Sequence, residues 1–348
     1  MRANAANEFL IRVTVIRSHG IQTMFDIITI GSATRDVFLN MSAKWSHKDG
    51  TGQLAESLPL GAKIEVEKIF LTTGGGGTNS AVTFARQGLK TACIGVVGND
   101  LNGQEILAEL AKEGVSTEFF QKHSDDLTAY STILVDPSGE RTVLSYKGEG
   151  QHFEVVKIPM SELQAKWLYL NSLGGHYDLL EAIVRHAADN NMKIATNPGG
   201  KEIAHGLEKM KPILVHMDIY LTNKEEGEQL LGLSDKSSEE VATELKKYVK
   251  GIVSVSDGHN GVFVIDTEGN KYSAGVPDSP VVERTGAGDA FGSGFTAEYI
   301  RSENIEKSIQ FGTANASSVV TQHGAKAGIL KKGDWGQWPL VDVIEEQR

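Results

Sequence analysis

The sequence from Arg284 to Phe295 reads RTGAGDAFGSGF, a glycine-rich turn that leads into an apolar segment with helical spacing. Gly286 and Gly288 carry no Cβ, so the backbone can turn tightly and direct successive N–H groups at one point. The positive end of the following helix dipole lies at the same place, which favours the binding of an anion. The pattern predicts a phosphate-binding turn at the start of a helix.

Asp289 distinguishes this turn from a simple anion site. A carboxylate beside a bound phosphate is electrostatically unfavourable, so its presence predicts a general base that takes the proton from an attacking hydroxyl. The alternative is that Asp289 caps the helix or completes the turn, as aspartates often do. The sequence contains no G-x-x-x-x-G-K-[ST] motif, so the predicted phosphate site is not a P-loop.

Composition limits the classes of function. The chain has 348 residues, enough for one large α/β domain with a sizeable core. Its formal net charge of −11 argues against nucleic-acid or anionic-membrane partners, because these require clustered lysines and arginines. The single cysteine, Cys93, excludes a disulfide framework and fits a reducing cytoplasm. We therefore expect a cytoplasmic protein that binds small molecules, with neither a nucleic acid nor a membrane as partner.

Buried apolar runs alternate with helical patterns along most of the chain. The first strand is predicted at 25–30, followed by strands at 91–98, 167–170, 193–196, 218–222, 251–256 and 262–265. Helices are predicted at 78–88, 100–114, 178–190, 224–231, 239–250, 290–301 and 305–321. Strands separated by helices of this length predict parallel βαβ units and an α/β fold, with helices on both faces of a mostly parallel sheet.

Two stretches, 37–72 and 128–147, interrupt this alternation with turn residues and strand-like runs. We expect them to pair into a small β-sheet that forms a lid over the rest of the domain. The α/β core would then consist of residues 24–36, 73–127 and 148–335. We expect residues 1–23 to form an extension outside the fold, and residues 336–348 to form an irregular tail.

Four motifs occur in a defined order along the chain: GGGTN at 75–79, NKEE at 223–226, SDGHNG at 256–261 and GAGD at 286–289. Each motif alone is weak, but the ordered set resembles the ribokinase family of PfkB-type carbohydrate and nucleoside kinases, from Phe25 to about Leu330. The resemblance implies a ribokinase-like fold and Mg²⁺-dependent phosphoryl transfer from ATP. It also implies a homodimer formed through the lid.

The resemblance implies that the acceptor is bound by Asp36, Gly75, Gly76, Asn79 and Glu140. Carboxylate and carboxamide groups suit this role because they fix vicinal hydroxyls by directional hydrogen bonds. Two alternatives remain open at this point. Asn79 could cap a helix, and Glu140 could be an exposed turn residue.

For the nucleotide, the resemblance implies contacts from Asn223, Ser256, Gly258, Gly261 and Asn315, with Glu226 organising Mg²⁺ through water. One helical turn separates Asn223 from Glu226, which places both side chains on one face. A solvated charged face would also explain this pair, and Asn315 could be an ordinary polar helix residue.

In the catalytic centre, the resemblance implies that Asp289 is the general base and that the N–H groups of Gly286, Ala287 and Gly288 stabilise the transferring phosphoryl group. The family often has Asp-Thr where this chain has Glu283 and Arg284. That acid contributes to a monovalent cation site in ribokinase-like members, and the longer glutamate leaves activation by K⁺ open.

The sequence thus predicts a sugar kinase that transfers the γ-phosphoryl group of ATP to a primary hydroxyl, as ribokinases and fructokinases do. A nucleoside kinase is the first alternative, in which aromatic residues would stack on a base. The candidates for stacking are Phe119, Phe120, Tyr130 and Phe153. A non-catalytic sugar- or nucleotide-binding protein with the same fold is the second alternative.

Overall fold

The computed structural model describes residues 24–346, apart from the side chain of Gln151. The predicted N-terminal extension, 1–23, lies outside the described residues. The strands are β1 (Phe25–Ile30), β2 (Thr34–Asn40), β3 (Ser46–Lys48), β4 (Leu54–Glu56), β5 (Lys68–Gly74), β6 (Thr91–Ile94), β7 (Val96–Gly98), β8 (Gln121–His123), β9 (Tyr130–Val135), β10 (Arg141–Tyr146), β11 (Ala165–Leu170), β12 (Lys193–Thr196), β13 (Ile219–Asn223), β14 (Ile252–Ser256), β15 (Val262–Ile265), β16 (Lys271–Ala274) and β17 (Val343–Glu346).

The α-helices are α1 (Gly76–Arg86), α2 (Leu101–Lys112), α3 (Tyr177–Asp189), α4 (Gly200–Ile203), α5 (Leu207–Leu214), α6 (Lys224–Leu231), α7 (Ser238–Leu245), α8 (Ala287–Ser302) and α9 (Ile305–Val320). Short 3-10 turns lie at Ala43–Trp45, Gly148–Gln151, Val155–Lys157, Met160–Glu162 and Gly258–Asn260.

Within residues 24–346, nine strands form the large sheet, in the order β17-β16-β15-β14-β13-β12-β11-β1-β6. The strands from β14 to β6 are parallel, and the last three at the other edge are antiparallel. This confirms the predicted mostly parallel sheet. The prediction of an irregular tail was wrong, because β17 pairs with β16. Its mostly exposed edge position gives it no continuous apolar run to detect.

Alternate residues of the parallel strands are buried in two different hydrophobic cores. One core contains Ile28 and Leu168, together with apolar residues of α3, α5, α6 and α7. The other contains Ile27 and Trp167, which pack with Phe84 of α1 and with residues of α8 and α9. The large sheet is therefore covered by helices on both faces, as the sequence predicts.

The small sheet has the strand order β10-β9-β2-β5. It begins earlier than predicted, because β2 starts at Thr34, only four residues after the end of β1, and β5 continues to Gly74. Asp36 consequently lies on the small sheet and not in a loop at the end of β1. Within the stretch predicted at 37–72, β5 forms only from Lys68 onward.

The small sheet presents two different faces. One face packs Phe38, Ile133 and Val135 into a local core. On the other face Leu71, Val37, Thr132 and Leu144 lie directly opposite one another across the four strands. Leu71 and Leu144 on that face are more than half exposed, at 58% and 56%.

No helix in the part of the chain that the structure describes combines the length and the apolar character required to cross a membrane.

Candidate active site

A cavity of about 360 Å³ lies at the carboxyl ends of the parallel strands. A polar residue ends or closely follows each of five strands and lines the cavity, namely Ser32 after β1, Asn171 after β11, Asn197 after β12, Asn223 in β13 and Ser256 in β14. Open α/β sheets place ligands at this edge. The sequence analysis missed Ser32, Asn171 and Asn197, although the first polar residue after each predicted strand was a signal available to it.

Asp289 lies in the first turn of α8 and lines this cavity. Its Oδ2 accepts a hydrogen bond of 2.9 Å from Asn79 Nδ2, the only side-chain hydrogen bond to this carboxylate among the described residues. The carboxylate therefore does not cap its helix. Burial raises the pKa of Asp289, and the charge of Asp36 adds to the rise, whereas the Asn79 hydrogen bond and the Lys326 ammonium oppose it.

The turn before α8 requires glycine at one position. Gly286 is the N-cap residue and has a left-handed backbone conformation, with φ of 81°. A Cβ added there would lie 2.3 Å from the Cβ of Ala325. Gly288 has open space around its Cα, and both glycines line the cavity. The Ala287 N–H makes a long hydrogen bond of 3.3 Å to the Arg284 carbonyl, and the Gly286 and Gly288 N–H groups have no partner among the described residues, so the start of α8 can receive an anion.

Of the five residues predicted to bind the acceptor, Gly76 lines the cavity and the other four do not. A Cβ added to Gly76 would lie 3.1 Å from Asp289 Oδ1, so the glycine leaves room beside the carboxylate. Gly75 is the N-cap residue of α1, with φ of 94°, and Asn79 lies inside that helix, which excludes the capping alternative for Asn79. Asp36 is buried and is not among the residues that line the cavity; its Oδ1 accepts a hydrogen bond from Thr34, and burial raises its pKa.

Asn171 is a site residue that the sequence analysis missed. Its side chain is buried and lines the cavity next to Gly76, where a Cβ would lie 2.9 Å from Asn171 Nδ2. Asn171 Oδ1 has no hydrogen-bond partner within residues 24–346, and the same holds for Asn79 Oδ1. A buried amide oxygen without a partner is unfavourable, so Asn171 Oδ1, which belongs to a residue that lines the cavity, is suited to accept a hydrogen bond from a ligand hydroxyl.

The structure does not bring Glu140 into the site. Glu140 is exposed in the turn between β9 and β10 and is not among the residues that line the cavity. The next residue, Arg141, does line it. Glu140 is the last residue of the exposed turn, whereas Arg141 is the first residue of β10.

Asn223 and Glu226 form a capping box at the start of α6. Asn223 Oδ1 accepts a hydrogen bond of 2.8 Å from the Glu226 backbone N–H. Glu226 Oε2 lies 3.4 Å from both the Asn223 nitrogen and Thr222 Oγ1, so its hydrogen bonds are long. Both side chains line the cavity, which excludes a purely solvated face, and burial raises the pKa of Glu226.

Glu226 fits a role toward Mg²⁺ through water. Mg²⁺ usually retains several waters and is held by one or two carboxylates plus substrate phosphates. The weakly bonded carboxylate of Glu226 leaves acceptor sites for such waters. Among the described residues no cluster of three or more His, Cys, Asp or Glu side chains could hold a metal ion.

A second cavity of about 130 Å³ adjoins the first and shares Ser256, Gly288 and Phe291 with it. The predicted nucleotide residues Gly258 and Gly261 line it, as do Ala287 and, on α9, Thr313, Ala316 and Ser317. The prediction for Asn315 was wrong. Asn315 is completely buried, because its Nδ2 donates to the Ala290 carbonyl at 2.8 Å and its Oδ1 accepts from the Leu330 N–H at 2.9 Å.

Comparison with known proteins identifies the family. The model described as "pfkB family carbohydrate kinase" matches residues 51–332. A ribokinase of Haemophilus influenzae is 29% identical over 275 residues, which cover 77% of this chain and 88% of that protein. A nucleoside kinase of Methanothermobacter thermautotrophicus is 22% identical and covers 77% of this chain and 87% of its own length.

The fold has a close counterpart among solved structures. The structure of Arabidopsis thaliana ribokinase complexed with ribose and ATP superposes with a TM-score of 0.71 at 19% identity, covering 89% of this chain and 96% of that one. The large mostly parallel sheet and the separate small sheet are thus those of the ribokinase-like fold. The chain therefore belongs to the pfkB family of carbohydrate kinases and is a phosphotransferase of the sugar or nucleoside kinase type.

Proposed function

We propose that the protein transfers the γ-phosphoryl group of ATP to a primary hydroxyl of a small sugar. The main support is Asp289, whose carboxylate faces a polar cavity beside the glycine turn that starts α8. Asp289 accepts the hydroxyl proton as the hydroxyl oxygen bonds to the γ-phosphorus and the bond from that phosphorus to the ADP oxygen breaks. Its raised pKa makes it a stronger base than an ordinary aspartate.

Three groups assist the transfer in this proposal. Asn79 orients the Asp289 carboxylate through its hydrogen bond. The N–H groups of Gly286, Ala287 and Gly288 stabilise charge on the phosphoryl oxygens. Mg²⁺, organised through water by Glu226, would neutralise charge on the donor phosphates when bound.

The two adjoining cavities suit two substrates. The smaller cavity, lined largely by small and apolar residues, takes the adenine and ribose of the donor, bordered by Ser256, Gly258 and Gly261. The cavity of about 360 Å³ is called the main cavity. In this proposal the phosphates lie between the two cavities, at the residues that both share, including Gly288. The main cavity then receives the acceptor.

The lining of the main cavity favours a sugar over a nucleoside. Phe119 and Phe153, two candidates for base stacking, are buried in the hydrophobic core. Among the described residues that line the main cavity, Phe291 is the one aromatic side chain, and it lies at the junction with the donor cavity. The asparagine amides around the remaining wall suit a polyhydroxylated ligand better than a base.

The test is ADP release from ATP and Mg²⁺ across ribose, fructose, 2-keto-3-deoxygluconate, ribose 1-phosphate, adenosine, cytidine and inosine. We expect turnover with at least one sugar, and Asp289→Asn should reduce kcat by ~10²–10⁴-fold because the general base is lost. The variant should retain stabilisation by substrate against heat. Turnover with nucleosides alone would contradict the choice of acceptor, and unchanged turnover in the variant would contradict the role of Asp289.

The small sheet acts as a lid in this proposal. The turn between β9 and β10 lies against the segment before the glycine turn, since a Cβ on Gly139 would be 3.5 Å from the Val282 carbonyl oxygen. A lid in this position would exclude water and limit hydrolysis of ATP.

A requirement for K⁺ is not part of the proposal. Glu283 is completely buried, and its two carboxylate oxygens accept hydrogen bonds of 3.0 Å from the backbone N–H groups of Thr285 and Gly324. Backbone donors therefore already compensate the charge that would bind a cation.

The proposal also includes a cytoplasmic homodimer that forms through the small sheet. The half-exposed apolar residues opposite the Phe38 face, such as Leu71 and Leu144, offer the same surface on each copy, as a two-fold interface requires. The sequence analysis attributed the dimer to the lid, and within the lid this face of the small sheet is our candidate for the interface.

A further inference from the structure

Two arginines that line the main cavity have no hydrogen-bond or ion-pair partner among the described residues. Six arginines are described, and three of them form ion pairs, Arg86 with Glu113, Arg185 with Glu181 and Arg301 with Glu298. Within residues 24–346, no acceptor or carboxylate pairs with the side chains of the other three, Arg35, Arg141 and Arg284. Arg141 and Arg284 both line the main cavity, and Arg35 lines a separate cavity.

Of these two arginines, Arg141 is the one with a buried donor group that lacks an acceptor among the described residues. Its Nε is buried from solvent and has no hydrogen-bond acceptor in the described part of the chain. A guanidinium group remains charged at any pH that a folded protein experiences, and a buried donor without an acceptor is unfavourable. The arrangement becomes favourable when an anion enters the cavity, because the planar fork of arginine binds a phosphate or carboxylate through two parallel hydrogen bonds.

Arg141 lines the main cavity, which is proposed for the acceptor, and does not line the smaller cavity proposed for the adenine and ribose of the donor. Arg141 pairs with Val135, which lies opposite Asn40, and this row is four residues along the strand from the row of Asp36 and Ser131. The two rows are about 13 Å apart along the strand direction, and alternation places Arg141 and Asp36 on the same face of the sheet. Arg284, by contrast, immediately precedes the glycine turn at which the donor phosphates are proposed to bind.

We infer that the acceptor is a sugar with a negatively charged group, a phosphate or a carboxylate, and that Arg141 binds this group while the reacting hydroxyl lies near Asp289. The inference rests on the proposed sugar kinase function. It names a specificity-determining residue that lies on the small sheet, outside the catalytic turn.

The experiment compares kcat/KM for ribose, which is neutral, with the values for ribose 1-phosphate and 2-keto-3-deoxygluconate, which carry a phosphate and a carboxylate. We expect one anionic acceptor to be preferred over ribose. Arg141→Gln should reduce this preference about tenfold or more, since a charge-assisted bidentate contact is lost. Arg141→Lys keeps the positive charge without the planar fork of the guanidinium group, and it should retain part of the preference for the anionic acceptor. Arg185→Gln, which changes an exposed arginine on α3, should leave the preference unchanged.

The KM for ATP measured alongside separates the two substrates. If Arg141→Gln raises the KM for ATP to the same extent with every acceptor, Arg141 serves the donor and the inference is wrong. It is also wrong if ribose turns over as well as the anionic sugars, an outcome that leaves the proposed kinase function intact.

Thermal unfolding provides a readout that is independent of turnover. An anionic acceptor should raise the Tm of the wild type and of Asp289→Asn, but not that of Arg141→Gln. Stabilisation with this pattern and no turnover of any acceptor would contradict the kinase proposal while supporting the role of Arg141. The absence of stabilisation by either anionic sugar, together with turnover of ribose, would contradict the role of Arg141 alone.

Discussion

At the scale of single residues, Asp289 combines a position on the cavity wall with an energetic cost to the fold. Its pKa is raised chiefly by burial, so the folded protein binds the proton more tightly than the unfolded chain does. The ionised carboxylate therefore lowers the free energy of unfolding at neutral pH. This cost is complete above the folded-state pKa and disappears as the pH falls below the unfolded-state value.

The raised pKa of Asp289 predicts how Asp289→Asn changes the stability of the fold. The variant removes the buried charge but keeps an oxygen that can accept the hydrogen bond from Asn79, so its Tm should exceed that of the wild type at pH 7.5. The difference should shrink as the pH is lowered toward 4, because protonation then removes the same charge from the wild type. Thermal unfolding of both proteins between pH 4 and 8 measures this, and a variant that is less stable throughout would contradict the account.

At the scale of elements, the conformation of the turn into α8 depends on Gly286 more than on Gly288. Gly286→Ala forces a left-handed conformation on alanine, which costs about 1–2 kcal/mol, and adds the clash with Ala325. Gly288→Ala is the matched control, because a Cβ there meets no atom of the protein within 4 Å. We expect denaturant unfolding to show a clear loss of stability in the first variant and little change in the second.

Measurements of turnover should show an effect of Gly288→Ala that measurements of stability do not. Both glycines line the cavity, and a methyl group at Gly288 would project into the space proposed for phosphate. Gly288→Ala should therefore lose turnover while it keeps its stability. A Gly288→Ala enzyme as active as the wild type would argue against phosphoryl transfer at this turn.

At the scale of the whole molecule, the small sheet links the cavity to the proposed dimer interface. Its one face carries Asp36 and Arg141, and its opposite face carries exposed apolar residues. We expect Leu71→Lys combined with Leu144→Lys to convert a dimer into a monomer, because buried charge in the interface would be unfavourable. Light scattering after size exclusion measures the mass. Val156→Lys, at a residue that is 92% exposed outside this sheet, is the control, and an unchanged dimer in the double variant would locate the interface elsewhere.

Local features of the sequence predicted a large part of the fold and identified several of the residues that line the cavity. The capping box of Asn223 and Glu226, and the glycine turn with Asp289, involve residues within a few positions of one another. Asp100 caps α2 as its position suggests, with Gly103 as the donor. Apolar periodicity located the parallel strands because a buried strand needs a continuous apolar run whatever its neighbours are.

Contacts between distant segments escaped prediction. Asn79 and Asp289 are 210 residues apart and meet only because α1 and α8 pack on the same face of the sheet. Asn315 turns toward the Ala290 carbonyl because α9 packs against α8, and Arg141 instead of Glu140 enters the cavity because of the register of one hairpin.

The sequence by itself determined the α/β architecture and the glycine turn that carries Asp289. Backbone conformation and hydrogen bonding over a few residues are sufficient for these features. Only the tertiary structure decided which polar side chains converge on the cavity and which are used to hold the fold together. That choice depends on strand register and helix packing, which are set by burial of apolar surface across the whole chain.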